Sequence, residues 1–130
     1  MTHDVILVIE DNPKNLKLVR DVLGFAGYEV LEAETAEAGL VLADARLPGL
    51  VFMDLQLPGM DGYAALHALR RSSRTSSLPV VAVTAFAMAD DRRRALDAGF
   101  DGYLAKPVSP SALRAEAQRF LTPNEEESHA

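Results

Sequence analysis

The feature that most constrains the fold is an alternation. Short apolar runs at Val5 to Ile9, Tyr28 to Ala33, Leu50 to Met53, Pro79 to Thr84 and Tyr103 to Ala105 take turns with segments whose apolar residues recur at helical spacing. The runs are the length of buried strands and too short for helices. Parallel neighbours in a sheet need crossover connections, which helices supply and which are right-handed. Five strands alternating with five helices therefore predict an α/β, doubly wound fold with a parallel sheet covered on both faces.

Local signals mark where each segment starts and stops. Asn12 is a helix cap with Pro13 at the first helical position, and Leu16, Val19 and Leu23 line one face before Gly27 ends the helix. Thr35 caps a second helix running to about Arg46, and Pro48 and Gly49 break it. Pro58 and Gly59 make a loop, after which Tyr63, Leu66 and Leu69 mark a third helix with Arg70 and Arg71 at its C-terminal end. The stretch RSSRTSS reads as a surface loop. Asp90 to Ala98 reads as a fourth helix stopped by Gly99, and Ser109 and Pro110 open a fifth with Leu113, Ala117 and Phe120 on one face. The expected organisation is one domain over residues 1–121 and an acidic flexible tail over 122–130.

Composition narrows the function. The 130 residues carry 19 acids against 13 Lys and Arg, a net charge of -6 that argues against nucleic acid and anionic membrane as partners. Arg92, Arg93 and Arg94 form the one tight basic run and are expected to be a solvated face. No apolar run approaches the roughly 20 residues of a membrane span. The start MTHDVILVIED reads as a strand and not a signal peptide, and with no cysteine there is neither disulfide nor thiolate site, so a cytoplasmic address is expected. His3, His67 and His129 lack metal-ligand spacing.

In a doubly wound sheet, ligands gather beyond the carboxyl ends of the strands where strand order reverses. The first strand ends in Glu10 and Asp11, the third in Asp54, the fourth in Thr84 and the fifth in Lys106. Taken singly, Glu10 and Asp11 could be capping acids, Asp54 a turn former, Thr84 a strand filler and Lys106 a solvated charge. Taken together, they put acids, hydroxyl and amine at the one edge where chemistry collects. Crowded carboxylates need a cation, and an all-oxygen set suits a hard ion such as Mg²⁺. A carboxylate can attack phosphorus to form an aspartyl phosphate, with metal and ammonium stabilising the transferring charge and a hydroxyl and backbone N–H holding its oxygens. Asp54, Asp11, Thr84, Ala85 and Lys106 supply that set.

These residues, in VIEDN, VFMDLQLPGMDG, PVVAVTAFAM and GYLAKP, resemble the receiver domain of two-component response regulators over Asp4 to Leu121. The resemblance implies a flavodoxin-like (βα)5 fold with strand order 2-1-3-4-5. It also implies that Asp54 accepts a phosphoryl group from a phosphohistidine on a histidine kinase or phosphotransfer protein. Asp11, Asp54 and the Gln56 carbonyl would bind Mg²⁺ directly, with Mn²⁺ as a substitute, and Glu10 would act largely through water. Lys106 would pair with the phosphate, Thr84 would move to hydrogen-bond it, and Tyr103 would be the switch aromatic that alters the face of the fourth helix, fifth strand and fifth helix for a downstream protein. Gln56 and Ala87 would occupy the positions that tune hydrolysis of the phosphoaspartate. Phe86 and Met88 would fill core or form part of a partner-binding patch.

Within the family, EDNPKNLKL with VTAFAM is most similar to the stand-alone cell-division regulators of the DivK type, and similar strings occur in receivers of hybrid histidine kinases. The expected function is a phosphoacceptor switch and not a true enzyme; too few residues follow the last helix for an output domain, so output would go to a partner protein or to competition for phosphate. A phosphate sink or shuttle in a hybrid-kinase relay is the alternative. A haloacid-dehalogenase-type phosphatase would need an Asp two residues after its nucleophile, where this chain has Gln56. A receiver-like scaffold that is never phosphorylated would have no need of Asp11, Asp54, Thr84 and Lys106 together.

Overall fold

The computed structural model describes residues 4–85 and 88–121. The expectations for His3, Phe86, Ala87, His129 and the 122–130 tail lie outside the described residues. The elements are β1 (Val5–Ile9), α1 (Pro13–Phe25), β2 (Glu29–Ala33), α2 (Ala36–Arg46), β3 (Leu50–Asp54), α3 (Gly62–Arg71), β4 (Val80–Thr84), α4 (Asp91–Ala98), β5 (Gly102–Ala105) and α5 (Pro110–Phe120). All strand pairs are parallel, in the order β2-β1-β3-β4-β5. This is the doubly wound order expected, with the reversal between β1 and β3.

Strand alternation sorts the core into two layers. Ile6, Val8, Leu50, Phe52, Val81 and Val83 pack with Leu16, Val19 and Leu23 of α1 and Leu113 and Ala117 of α5. On the other face Leu7, Ile9, Val51, Met53, Val80 and Ala82 pack with Ala43 of α2, Leu66 and Leu69 of α3, and Ala95 of α4. The inner strands are buried on both sides, which is why they read as unbroken apolar runs. β2 lies at the edge and exposes Glu29 and Glu32. α4 buries Ala95 alone and leaves Arg92, Arg93 and Arg94 exposed, the solvated face that was expected.

The caps follow the sequence signals. The Asn12 side chain accepts from the backbone N–H groups of Lys14 and Asn15, Thr35 from Ala38 and Ser109 from Ala112. Asp61, which carried no earlier assignment, caps α3 by accepting from the Ala64 N–H at 2.9 Å. α2 ends at Arg46, as expected, with Leu47 in a left-handed conformation at φ 46° before Pro48. The RSSRTSS segment differs from a plain surface loop: Thr75 is buried and its hydroxyl donates to the Leu69 carbonyl at 2.7 Å, satisfying an end of α3. Arg70 holds the neighbouring connections together, donating to the carbonyls of Ser76, Leu78 and Gly99 and to the Asp101 carboxylate.

Candidate phosphoacceptor and metal site

The sheet register brings the site residues together. Ile9 pairs with Met53 and Asp54 with Val83, so Glu10, Asp54 and Val83 follow one another across the same face of the sheet. Asp54 closes β3, as expected, and is 3% exposed. Glu10 is 4% exposed, whereas Asp11, where the chain turns toward α1, is open to solvent. Oxygens of Glu10, Asp11 and Asp54 all lie within 4.8 Å of one another. They border a cleft of about 410 Å³ lined also by Asn12, Pro13, Asn15, Gln56, Ala85 and Lys106.

Lys106, which follows β5 and precedes a cis peptide bond to Pro107, points its ammonium at two of these acids. Nζ lies 2.8 Å from Asp54 Oδ2 and 3.0 Å from Glu10 Oε1. The other Asp54 oxygen, Oδ1, accepts from the Gln56 backbone N–H at 2.9 Å, and Glu10 Oε2 accepts from the Asn12 N–H at 3.1 Å. Buried carboxylates persist only when paired and hydrogen-bonded in this way.

The charges respond to this setting. Burial pushes the Glu10 carboxyl above its usual range; the hydrogen bonds from Lys106 and Asn12 oppose that, and the charge of Asp54 adds to it. Burial pulls the Lys106 ammonium down, but its hydrogen bonds to Asp54 and Glu10 and their negative charges outweigh burial and leave it above its ordinary value. Three carboxylates against one ammonium leave a formal charge of two minus when all are ionised. Among the described residues the cleft lining offers carboxylate and carboxamide oxygens and neither imidazole nor thiolate, a donor set that fits Mg²⁺.

Thr84 and Tyr103 occupy the opposite face. Thr84 follows Val80 and Ala82 in alternation toward the α3–α4 layer, and Tyr103 pairs with Ala82 in register and packs against that same layer. Thr84 is fully buried, and Tyr103 is half-buried with its hydroxyl unpartnered among the described residues. Burial holds that phenol above its ordinary pKa, with the charge of Asp91 adding to it. Met88 is 73% exposed and so does not fill core.

One arrangement has no counterpart in the sequence reading, which gave Gln56 a role through its carbonyl. The Gln56 side chain spans the cleft rim: Nε2 donates to Thr84 Oγ1 at 2.7 Å, and Oε1 accepts from the Ala85 N–H at 3.1 Å. Nothing in the spacing signals a bond across 28 positions. The Asn12 N–H and Asn15 were also missed as cleft residues, although the capping role of Asn12 places both in the turn that opens the site.

Fold and site together define a flavodoxin-like receiver: a 2-1-3-4-5 sheet whose carboxyl edge holds an acid cluster, a lysine and a hydroxyl. Residues 6–118 match the model of the response regulator receiver domain, and the chain belongs to that family. It is 38% identical over 104 residues to the polar-differentiation response regulator DivK of Brucella ovis, covering 80% of this chain and 85% of that protein. It is 43% identical over 121 residues to the sensor protein GacS of Pseudomonas syringae, covering 83% of this chain but 12% of GacS. Among solved structures, the receiver domain of sensor histidine kinase PA1611 from Pseudomonas aeruginosa, which has magnesium coordinated in its active-site cleft, superposes with a TM-score of 0.85 at 32% identity, covering 94% of this chain and all of that one. Receivers of this family are phosphoacceptor partners of histidine kinases. Among the described residues no helix is long and apolar enough to cross a membrane.

Proposed function

We propose that the chain is a phosphorylation-gated binding module whose receiver unit is residues 1–121. Asp54 accepts a phosphoryl group from a phosphohistidine donor with Mg²⁺, and the change alters the α4-β5-α5 face for a downstream protein in the cytoplasm. The observation that carries this reading is the convergence of Asp54, Glu10, Asp11 and Lys106 at the β1–β3 reversal, with Asp54 paired to Lys106 at 2.8 Å. Asp11, Asp54 and the Gln56 carbonyl would hold Mg²⁺, with Glu10 acting through water; when bound, the ion neutralises the carboxylates and the incoming phosphoryl oxygens. Mn²⁺ would serve in its place.

An Asp54 carboxylate oxygen attacks phosphorus as the bond to the donor imidazole nitrogen breaks, that nitrogen keeping the electron pair. The product is an acyl phosphate on Asp54. Lys106 shifts its ammonium from the carboxylate toward the phosphoryl oxygens, while the Ala85 N–H and Thr84 hydroxyl receive others. Thr84 and Tyr103, on one face of adjoining strands, carry the change to α4 and β5.

Similarity to DivK, a polar-differentiation response regulator, favours a regulator acting through a protein partner. Similarity to GacS favours a second reading, a phosphate sink or shuttle in a hybrid-kinase relay. Both need Asp54. Incubation with acetyl phosphate should label wild type only when Mg²⁺ is present and should leave Asp54→Asn unlabelled; equal labelling of the two would overturn the assignment.

A further inference from the structure

Thr84 Oγ1 and the Ala85 N–H, which the proposed reaction assigns to phosphoryl oxygens, are both engaged by one carboxamide. Gln56 Oε1 accepts from Ala85 N at 3.1 Å, the bond a phosphoryl oxygen would make. Gln56 Nε2 donates to Thr84 Oγ1 at 2.7 Å, which ties that side chain to the same carboxamide. The Ala85 N–H has a single hydrogen, which Gln56 Oε1 must release before a phosphoryl oxygen can take it, and a Thr84 that moves toward the phosphoryl group parts from the Gln56 carboxamide. The same residue is tied to the reacting carboxylate, since its backbone N–H donates to Asp54 Oδ1 at 2.9 Å. Chain geometry thus puts the competitor two residues from the atom that will carry the phosphoryl group.

We propose that the Gln56 side chain is a latch: it fills the phosphoryl-binding positions on Thr84 and Ala85 in the unphosphorylated state and must be displaced for the switch to occur. Gln56 is a positioning residue, acting through Thr84 and Ala85, and the inference rests on the reading of Asp54 as phosphoacceptor. Because Thr84 is fully buried, its bond to Gln56 is not readily replaced by solvent, whereas the bond to Ala85 lies at the exposed rim. Breaking both on activation raises the threshold for switching.

Gln56→Met keeps the length of the side chain and the backbone carbonyl but removes both bonds. Titration with beryllofluoride in saturating Mg²⁺ should show binding roughly tenfold tighter for the variant than for wild type, from two hydrogen bonds that no longer compete. In the absence of beryllofluoride, the Ala85 amide signal in NMR should shift on substitution. Equal or weaker beryllofluoride binding by the variant, or an Ala85 amide that does not move, would overturn the latch. Failure of wild type itself to bind beryllofluoride would overturn the Asp54 reading and the latch with it, and so separates the two.

Discussion

Lys106 is the residue on which the site depends before any ligand arrives. Its ammonium bridges Asp54 and Glu10, two acids almost entirely enclosed by protein. Removing one partner of a buried ion pair leaves the other charge without compensation, so Lys106→Ala is expected to lower the unfolding free energy by about 3 kcal/mol without divalent cation. Since the folded pKa of Lys106 is raised above the ordinary 10.5, its contribution is fully present below that value and is lost as pH rises through the folded one. Saturating Mg²⁺ should recover part of the loss, because an ion that binds the native state alone stabilises it. Urea unfolding at neutral pH, with and without Mg²⁺, checks this, and a loss unchanged by Mg²⁺ would contradict the account. At this scale the sequence was informative about which residues meet and less so about how they bond. Glu10, Asp54 and Lys106 are charged residues at the ends of apolar strands, a visible anomaly. The Gln56 carboxamide is an ordinary loop amide in sequence, and its orientation comes from Thr84 on another strand.

Among the elements, the junction of β3 with α3 decides where Asp54 stands. Gly62 opens α3 directly against the end of the strand, and a Cβ there would lie 2.9 Å from both the Asp54 carbonyl oxygen and the Leu55 Cα. Both are backbone atoms and have little room to yield. Gly62→Ala should therefore cost about 1–3 kcal/mol through overpacking and slow phosphoryl uptake by shifting Asp54. Denaturant midpoints and the rate of labelling by acetyl phosphate measure the two effects; a variant with unchanged stability and rate would show that the junction is slack. The three inner strands were legible because parallel strands buried on both faces must be apolar throughout, as in Val80 to Val83. α1, α2 and α5 were legible from their caps. The buried Thr75 was not, because a serine-rich stretch reads as solvated until the carbonyl of Leu69 is seen to need a donor. The unpartnered hydroxyl of Tyr103 is likewise a product of packing between layers, invisible to strand spacing.

For the whole molecule, the sheet separates chemistry from response. Glu10 and Asp54 lie on the face shared with α1 and α5, whereas Thr84 and Tyr103 follow the strand alternation to the face shared with α3 and α4. α4, held to the core through Ala95, is the helix with least to lose when that face changes. Thr84→Ala should consequently retain labelling at Asp54 while weakening phosphorylation-dependent partner binding roughly tenfold, a size typical of coupling between sites. Affinity pull-down with beryllofluoride and without it would measure the ratio, and an undiminished ratio would remove Thr84 from the relay. All of this presumes that Asp54 receives the phosphoryl group. The most direct test is transfer from a phosphohistidine donor followed by mass-spectrometric mapping of the modified residue. The account predicts a single acid- and base-labile phosphoryl group on Asp54 that requires Mg²⁺ and disappears in Asp54→Asn; a phosphoryl group mapped to any other residue, or retained in that variant, would contradict it.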